Sequence, residues 1–322
     1  MGLDKYKRTA SDQRHPACSI VVPTRQRPRS LGRCLRAIAA SDYPIHQFEV
    51  IVVDDGGCGG SALDDVVRPL RGRLEIHVGK TPGLGPAGAR NAGSKEASGE
   101  VLAFTDDDCL VDSGWIRTLC VAMGPSTKAA VGGRTVNGLG DNRWSAASQR
   151  IIDLVYAYYN ANPAHASFLT TNNLAVPTEA FRDLGGFDEG YRTAEDRDLC
   201  RRWLRSGREM IYTPEALVYH EHALTFPEFW RQNFNYGRGA FRFRSTAAAD
   251  QRLQNLVGLY ESMPRFVSAS ADDNHNGGSH RRACLAADLA LWQAANAAGF
   301  AWEAARSALI ADKRKRKANF AT

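Results

Sequence analysis

The chain has 322 residues, 43% of them hydrophobic, and a net charge of +6. A chain of this size and composition can bury a substantial core, which excludes a disordered protein, and it contains no uninterrupted apolar run of about eighteen residues that would span a membrane. Its seven cysteines show no paired spacing, and residues 1–16 lack the apolar core of a signal peptide, so we expect free thiols and a cytoplasmic location.

The first half alternates short β-rich runs with helix-compatible segments, which is typical of an α/β sheet. In open sheets of this kind, ligands bind beyond the carboxyl ends of the strands, so we expect the turns after the strands to converge on one crevice. The predicted strands are residues 19–22, 50–53, 74–78 and 101–105, and the first predicted helix is residues 31–40.

The second half is predicted to be mainly helical. A helix is expected to begin near Glu195 and to stop at Gly207, with its arginines on the outer face. Residues 268–281 are rich in Ser, Asp, Asn and Gly and predict a flexible loop, and the alanine-rich residues 282–310 predict a packed helix. We therefore predict an N-terminal extension (1–16), an α/β domain (17–225) and a mainly helical C-terminal extension (226–322).

Three consecutive aspartates, Asp106, Asp107 and Asp108, follow the fourth predicted strand. Clustered carboxylates need a cation or a solvent-filled cleft, and in an extended segment Asp106 and Asp108 point the same way. Mn²⁺ or Mg²⁺ suits such a pair, because both ions take oxygen ligands and share them with substrate phosphates. The alternative is a solvated acidic loop.

Gly83, Gly85 and Gly88 spell GxGxxG, the pattern of a dinucleotide-binding turn. The true fingerprint follows the first strand of its unit directly, whereas here the strand is the third and four residues intervene. We therefore expect a polar site near Arg90 and Asn91 but no NAD.

Taken in order, the motifs SIVVPTRQRP, EVIVVDDGG, GPAGARNAG, FTDDDC, GGFDE and AEDRDLCRRW resemble those of the inverting, nucleotide-sugar-dependent glycosyltransferases of family 2. The resemblance covers roughly residues 18–221. It implies the GT-A fold, an α/β fold with a Rossmann-like, mostly parallel central sheet flanked by helices, here followed by a helical C-terminal extension.

The resemblance also implies a binding site for a nucleotide-diphosphate sugar. Arg25 or Arg27 would face the diphosphate, and Asp54 and Asp55 would approach the base and ribose, with turn capping as their alternative role. The residues assigned to the nucleotide sugar are Pro23, Thr24, Arg25, Arg27, Asp54, Asp55, Arg90, Asn91, Asp106, Asp107, Asn172 and Asn173.

By the same resemblance, Asp108 is the main metal-ligand candidate, together with Asp106. His220 and His222 lie two residues apart and are further candidates, although a histidine in the core or on the surface is the commoner situation. The cofactor implied is Mn²⁺ or Mg²⁺.

By resemblance to the family's late ED motif, Asp196 would be the base that deprotonates the acceptor hydroxyl, and Glu195 would orient the acceptor or support Asp196. Capping of the predicted helix is the alternative role for both. Residues 229–243 interleave aromatic and arginine side chains, which suits either an acceptor site or a packed helix.

The expected partners are a nucleotide-sugar donor and an acceptor hydroxyl on a saccharide, a lipid-linked saccharide or a small molecule. We hypothesise a UDP sugar as the donor, with a GDP or dTDP sugar as the alternatives. The chain lacks the QxxRW signature of processive synthesis, so a single transfer is expected. Residues 313–317 read KRKRK and suit either a solvated terminus or peripheral contact with the inner face of a membrane. No specific nucleic acid is expected, and a homodimer stays open.

Two other functions fit parts of the pattern. A sugar-nucleotide pyrophosphorylase uses a similar sheet and metal-bound phosphates but lacks the late ED motif. A noncatalytic protein that binds membranes or nucleic acid through its basic C-terminal region would have no need of an intact metal site.

Overall fold

The structure is a computed structural model that describes residues 17–57, 60–124, 129–246 and 278–319. The predicted α/β sheet is present. Its strands are β1 (Cys18–Thr24), β2 (Phe48–Asp55), β3 (Ile76–Thr81), β4 (Val101–Phe104), β5 (Cys109–Val111), β6 (Ala130–Asn137), β7 (Leu174–Pro177) and β8 (Met210–His220). The helices are α1 (Pro28–Ala39), α2 (Gly60–Val67), α3 (Pro86–Glu96), α4 (Trp115–Met123), α5 (Arg143–Tyr159), α6 (Thr178–Asp183), α7 (Glu195–Arg205), α8 (Phe226–Thr246) and α9 (Gly278–Asn319).

The strands form one sheet in the order β3-β2-β1-β4-β7-β6-β8-β5. Pairing is parallel from β3 through β4 and between β6 and β8, and it is antiparallel at β4–β7, β6–β7 and β5–β8. The sheet is thus mixed rather than parallel throughout. The carboxyl ends of β1, β2 and β4 lie side by side, which brings the loops after these strands to one edge.

Both faces of β1, β2 and β4 are buried, which explains why these three strands are mostly apolar, whereas the edge strand β3 is partly exposed. Alternate residues of β1 face opposite ways: Ile20 and Val22 pack with helices α1, α2 and α4, whereas Val21 packs with α3, α6 and α7. The sheet is therefore held between two helical layers, and its loops are fixed from both sides.

Three helices, α5, α8 and α9, form a separate core beside the sheet, built on Phe229, Leu289 and Trp292 among others. Asp288 of α9 is fully buried in the structure and forms ion pairs with Arg143 and Arg150 of α5. A buried carboxylate needs such partners, so this contact fixes where α9 sits on the domain.

Helices α8 and α9 cross at two glycines. A Cβ atom added at Gly237 would lie 2.0 Å from the carbonyl oxygen of Asn296, and one added at Gly299 would lie 1.9 Å from that of Phe234. No side chain fits at either position, so the two backbones approach as closely as helices can.

Several predicted elements differ in detail. The third strand begins at Ile76 rather than at residue 74, because the N–H of Leu74 still closes the preceding turn onto the Leu70 carbonyl. Most of the predicted loop 268–281 lies outside the described residues, but its end from residue 278 belongs to α9, because the alanine-rich run propagates the helix from there. The N-terminal extension also lies outside the described residues.

The arginines of α7 do not all face outward as predicted. Arg201 is buried, with Nη2 2.5 Å from Asp198 Oδ1 and its guanidinium over the Phe243 ring. The aromatic partner and the ion pair together compensate its loss of solvation. Within the described residues, no helix combines the length and apolar character needed to cross a bilayer.

We predict that Gly299→Ala lowers the free energy of unfolding by about 1–3 kcal/mol, because the new methyl group forces α8 and α9 apart. Helix propensity alone predicts the opposite sign, since alanine favours a helix over glycine by about 1 kcal/mol. Chemical denaturation of the variant measures the difference. Gly72→Ala is the control, because nothing lies within 4 Å of a Cβ atom at that position; equal stability of both variants with the parent would contradict the close crossing.

Candidate active site

A cavity of about 380 Å³ lies between the loop after β4, the start of α7 and the helices α5, α8 and α9. Asp106, Asp196 and His220 all line it, although they come from three distant parts of the sequence. The convergence expected of the strand ends is therefore present, and the late ED motif faces the same space.

The three aspartates connect β4 to β5, and each has a different environment. The side chain of Asp106 is 27% exposed and lies at the cavity, whereas Asp107 is fully buried. Asp107 accepts a hydrogen bond from Thr24 Oγ1 at 2.7 Å and pairs with Arg27 Nη2 at 2.6 Å. Burial raises the pKa of Asp107 to about 6, against the opposing charge of Arg27. Asp107 thus fixes the loop after β1 to the triplet.

Asp108 is paired on both carboxylate oxygens. Oδ2 lies 2.5 Å from Arg27 Nη1, and Oδ1 lies 3.3 Å from His220 Nε2. Burial alone would raise the pKa of Asp108, but the His220 hydrogen bond and the charges of His220 and Arg27 hold it well below its usual range. Asp108 is therefore an ionised ligand candidate beside an imidazole.

Arg90, on α3, bridges the triplet and the late ED motif. This guanidinium is buried, with Nη2 2.6 Å from Asp106 Oδ1 and Nη1 3.0 Å from Glu195 Oε1. Burial lowers the pKa of Arg90, but the two carboxylates outweigh it and the net change is upward. A permanently charged arginine thus holds the strand end and the start of α7 at a fixed separation.

Asp196 is in the first turn of α7, after Ala194, whose φ of 71° is left-handed. It accepts a hydrogen bond from the Arg197 N–H at 2.7 Å, and among the described residues it has no ion-pair partner. Burial and the neighbouring charge of Glu195 raise the pKa of Asp196 to about 6. The capping alternative accounts for this one backbone contact, and Asp196 still faces the cavity.

Asp108, Cys109 and His220 place one potential ligand atom each within 4.8 Å of one another. Burial raises the pKa of the Cys109 thiol well above its usual value, so the thiol stays protonated and is a poor ligand. The usable donors are carboxylate oxygen and imidazole nitrogen, a set that fits Mn²⁺ better than Mg²⁺, which prefers oxygen alone.

His222 stacks on His220, with ring centroids 4.2 Å apart. Burial, together with repulsion from His220, lowers the pKa of His222 to about 4. Its Nε2 atom lies 3.4 Å from Gln232 Oε1 on α8. His222 is therefore a neutral ring that supports His220, and it does not belong to the compact ligand group.

The side chains of two asparagines that were assigned to the nucleotide sugar are hydrogen-bonded within the fold. The Asn91 amide bonds to the backbone N–H and C=O of Phe187, which fixes the turn after α6, and the Asn173 amide bonds to Trp115 Nε1 and to the Ala216 carbonyl. Both are buried and neither lines the cavity, whereas Asn172 does. Their amide groups are already hydrogen-bonded within the fold, and a role for Asn91 and Asn173 toward the nucleotide sugar stays a prediction.

Asp54 and Asp55 accept backbone hydrogen bonds, as expected if these side chains cap turns. Asp54 accepts from the Gly57 N–H, and Asp55 accepts from the Leu84 and Gly85 N–H groups. These two acids fix the turns after β2 and β3, and a role toward base and ribose stays a prediction. Pro23 and Thr24 end β1, and Arg25 is exposed without a partner among the described residues.

Other cavity residues carried no signal in the sequence. Arg192 and Arg197 precede and follow the ED motif, and Trp292 and Asn296 come from α9, far along the chain. In residues 229–243, Phe229 and Phe243 are buried as expected of a packed helix, whereas Tyr236 lines the cavity and an acceptor role stays a prediction. Further polar residues that sequence reasoning missed include Thr135, Asn137, Gln149 and Gln232.

Comparison with known proteins relates this site to one family. The model of glycosyl transferase family 2 matches residues 19–185. The pre-mycofactocin glycosyltransferase of Mycobacterium tuberculosis is 30% identical over 241 residues, which are 73% of this chain and 49% of that protein. The glycosyltransferase AglE of Haloferax volcanii is 25% identical over 79% of this chain and 84% of its own length. The chain thus spans about half of the mycobacterial relative.

Solved structures share the architecture at low identity. The mannosyltransferase PcManGT from Pyrobaculum calidifontis, in complex with GDP-Man and Mn²⁺, superposes with a TM-score of 0.62 at 20% identity, covering 94% of this chain and 87% of that one. GalNAc-T7 with UDP, GalNAc and Mn²⁺ gives a TM-score of 0.55 at 15% identity, covering 79% and 56%.

We predict that Arg90→Gln lowers the free energy of unfolding by about 2–4 kcal/mol, because it leaves Asp106 and Glu195 facing each other without the cation between them. Thermal and chemical unfolding measure the loss. Arg73→Gln removes the same charge from an exposed arginine and serves as the control. A variant at position 90 as stable as this control would show that the bridge contributes nothing.

Proposed function

The chain belongs to glycosyl transferase family 2 and has the GT-A fold, and from this premise we propose that it transfers a single sugar from a nucleotide-diphosphate donor to an acceptor hydroxyl. The observation that carries the proposal is one cavity that contains Asp106, His220 and the unpaired Asp196. Groups that suit a metal-bound diphosphate thus face a carboxylate that suits a proton acceptor.

The donor side rests on Asp108 and His220, with Asp106 beside them at the cavity. These residues would hold a divalent cation, for which the nitrogen ligand favours Mn²⁺. Bound there, the cation supplies Lewis-acid stabilisation of the negative charge on the departing diphosphate. Arg27, which pairs with Asp107 and Asp108 and is half exposed, would also pair with a phosphate oxygen of the donor.

The acceptor side rests on Asp196. Its carboxylate takes the proton of the acceptor hydroxyl while that oxygen bonds to the anomeric carbon, and the bond from this carbon to the diphosphate oxygen breaks with its electron pair leaving on the nucleotide. A single displacement of this kind inverts the configuration. A pKa of about 6 suits the task, because the group is mostly ionised at neutral pH and still accepts a proton readily.

We also propose which nucleotide the donor carries and which kind of acceptor is used. Structures that share the fold hold GDP-Man or UDP, so both nucleotides belong in a donor panel, with a UDP sugar tested first. The acceptor hydroxyl is on a saccharide, a lipid-linked saccharide or a small molecule. Polar cavity residues such as Gln149, Gln232 and Asn296 offer the hydrogen bonds that a hydroxyl-rich acceptor requires.

The rival functions give different products. A pyrophosphorylase would consume a nucleoside triphosphate and a sugar phosphate and release pyrophosphate, whereas a transferase releases the nucleoside diphosphate. A noncatalytic protein would release neither, and it would tolerate loss of Asp196. Incubating the chain with a panel of nucleotide sugars, with and without Mn²⁺, and identifying the products separates the three.

We predict that Asp196→Asn reduces transfer by at least on the order of a hundredfold while donor binding is retained, because only the proton acceptor is lost. In the parent protein, transfer should fall as the pH drops below about 6, where Asp196 becomes protonated. Steady-state kinetics across pH, with calorimetric titration of the nucleotide, measures both.

The stability of the same variant provides a check. The pKa of Asp196 is higher in the folded chain than its ordinary 3.8, so ionisation destabilises the fold as pH rises through about 6, by at most about 3 kcal/mol. The asparagine variant should therefore be at least as stable as the parent at pH 7. Asp64→Asn, at an exposed position, is the control. Full transfer by the Asp196 variant rules out the assigned base.

We predict that Asp108→Asn weakens Mn²⁺-dependent UDP binding by about 10–100-fold, the range expected for loss of support at a metal site. His220→Ala should weaken binding in Mn²⁺ more than in Mg²⁺, because it removes the nitrogen ligand. Calorimetric titrations in each ion test both variants without relying on activity. Asp112→Asn, a nearby aspartate outside the ligand group, is the control; unchanged binding by the Asp108 variant would place the metal elsewhere.

A further inference from the structure

The second half of α9 carries an apolar surface that no described part of the chain covers. Trp302 is 60% exposed, Leu309 64% and Ile310 41%. Around a regular helix, Leu309 lies about 20° and Ile310 about 80° from Trp302, so the three form one stripe along the same side. Such large apolar side chains clustered on a surface indicate an interaction site.

This helix segment is anchored beside the stripe, by Gly299 and Glu303, which lie about 60° and about 100° around the helix from Trp302. Glu303, next to Trp302, is buried and accepts hydrogen bonds from Arg238 of α8 and Arg306 of its own helix. One turn earlier, Gly299 packs against the Phe234 carbonyl. The helix is therefore fixed to α8 with the apolar stripe facing solvent, and the exposure does not come from a detached segment.

Positive charge accompanies the stripe. Arg306 is half exposed beside it, and α9 continues to Asn319 through the run KRKRK at residues 313–317. From residue 302 to residue 319 there are six arginines or lysines and two acids. The segment thus combines a tryptophan, two large aliphatic residues and a concentrated positive charge on one helix.

We propose that the end of α9 lies in the surface of an anionic lipid bilayer, with Trp302, Leu309 and Ile310 in the interfacial region and the basic run on the headgroups. Tryptophan favours the membrane interface, amphipathic helices with basic residues lie in its plane, and polybasic segments bind anionic lipids. This surface is independent of the proposed catalytic function.

Two other kinds of partner would match only the basic part or only the apolar part of this surface. A nucleic acid would pair with the basic run but leave Trp302 and Leu309 in water. A second copy of the chain, joined in parallel through the same stripe, would bury the apolar side chains but bring two KRKRK runs together, and like charges repel. An anionic bilayer accommodates both the apolar and the cationic groups.

The test is sedimentation of the full chain with vesicles of phosphatidylcholine alone or mixed with phosphatidylglycerol. We expect binding to the mixed vesicles that weakens with added salt and that the double variant Trp302→Ala, Leu309→Ala reduces by on the order of tenfold or more. A blue shift of tryptophan emission on vesicle addition should be lost in Trp302→Phe, although five other tryptophans remain.

Val121→Ala is the matched control, because Val121 is 64% exposed on α4, away from α9. The altered residues are all exposed, so unfolding and nucleotide-sugar turnover should stay at parental values, which separates lost docking from lost folding. Equal vesicle binding by the double variant and the control overturns the proposal. So does light scattering that finds a dimer converted to monomer by the double variant, or binding to duplex DNA but not to vesicles.

Discussion

The site is organised around one buried arginine side chain. Arg90 forms ion pairs with Asp106 at the end of β4 and with Glu195 at the start of α7, two segments about ninety residues apart in sequence. Without a positive charge between them, two acids enclosed at this distance would repel each other and lose solvation together. The bridge lets the triplet and the ED motif share one cavity, and it leaves Asp196 as the acid without a cation of its own.

A second arginine does the same for the other two acids of the triplet. Arg27 contacts both Asp107 and Asp108, and His220 takes the remaining oxygen of Asp108. The three consecutive carboxylates are therefore compensated by two arginines and a histidine, which explains how such a sequence can fold as part of a buried sheet edge. It also divides their roles: Asp107 fixes the loop after β1, while Asp108 stays ionised beside an imidazole.

The sequence predicts the parallel half of the sheet well, because buried strands with polar ends have a strong local pattern. The same pattern puts the aspartate triplet at the end of a strand, and in the structure Asp106 lines the cavity. The sequence does not reveal what the side chains of Asn91 and Asn173 bind, because their partners, the Phe187 backbone and Trp115, are distant in the chain. Nor does it reveal Trp292 as a cavity residue, since an aromatic residue in an alanine-rich helix reads as core. Long-range packing decides all three.

Helix α9 joins two places that would otherwise be unrelated. Trp292 is at the cavity wall and Trp302 is at the outer surface, ten residues apart on one uninterrupted helix, which corresponds to about 15 Å along its axis. The crossing at Gly299 holds this helix against α8, and the buried Asp288 holds it against α5. Because the helix is continuous and is held at both points, it sets a fixed separation between the cavity wall and the outer surface.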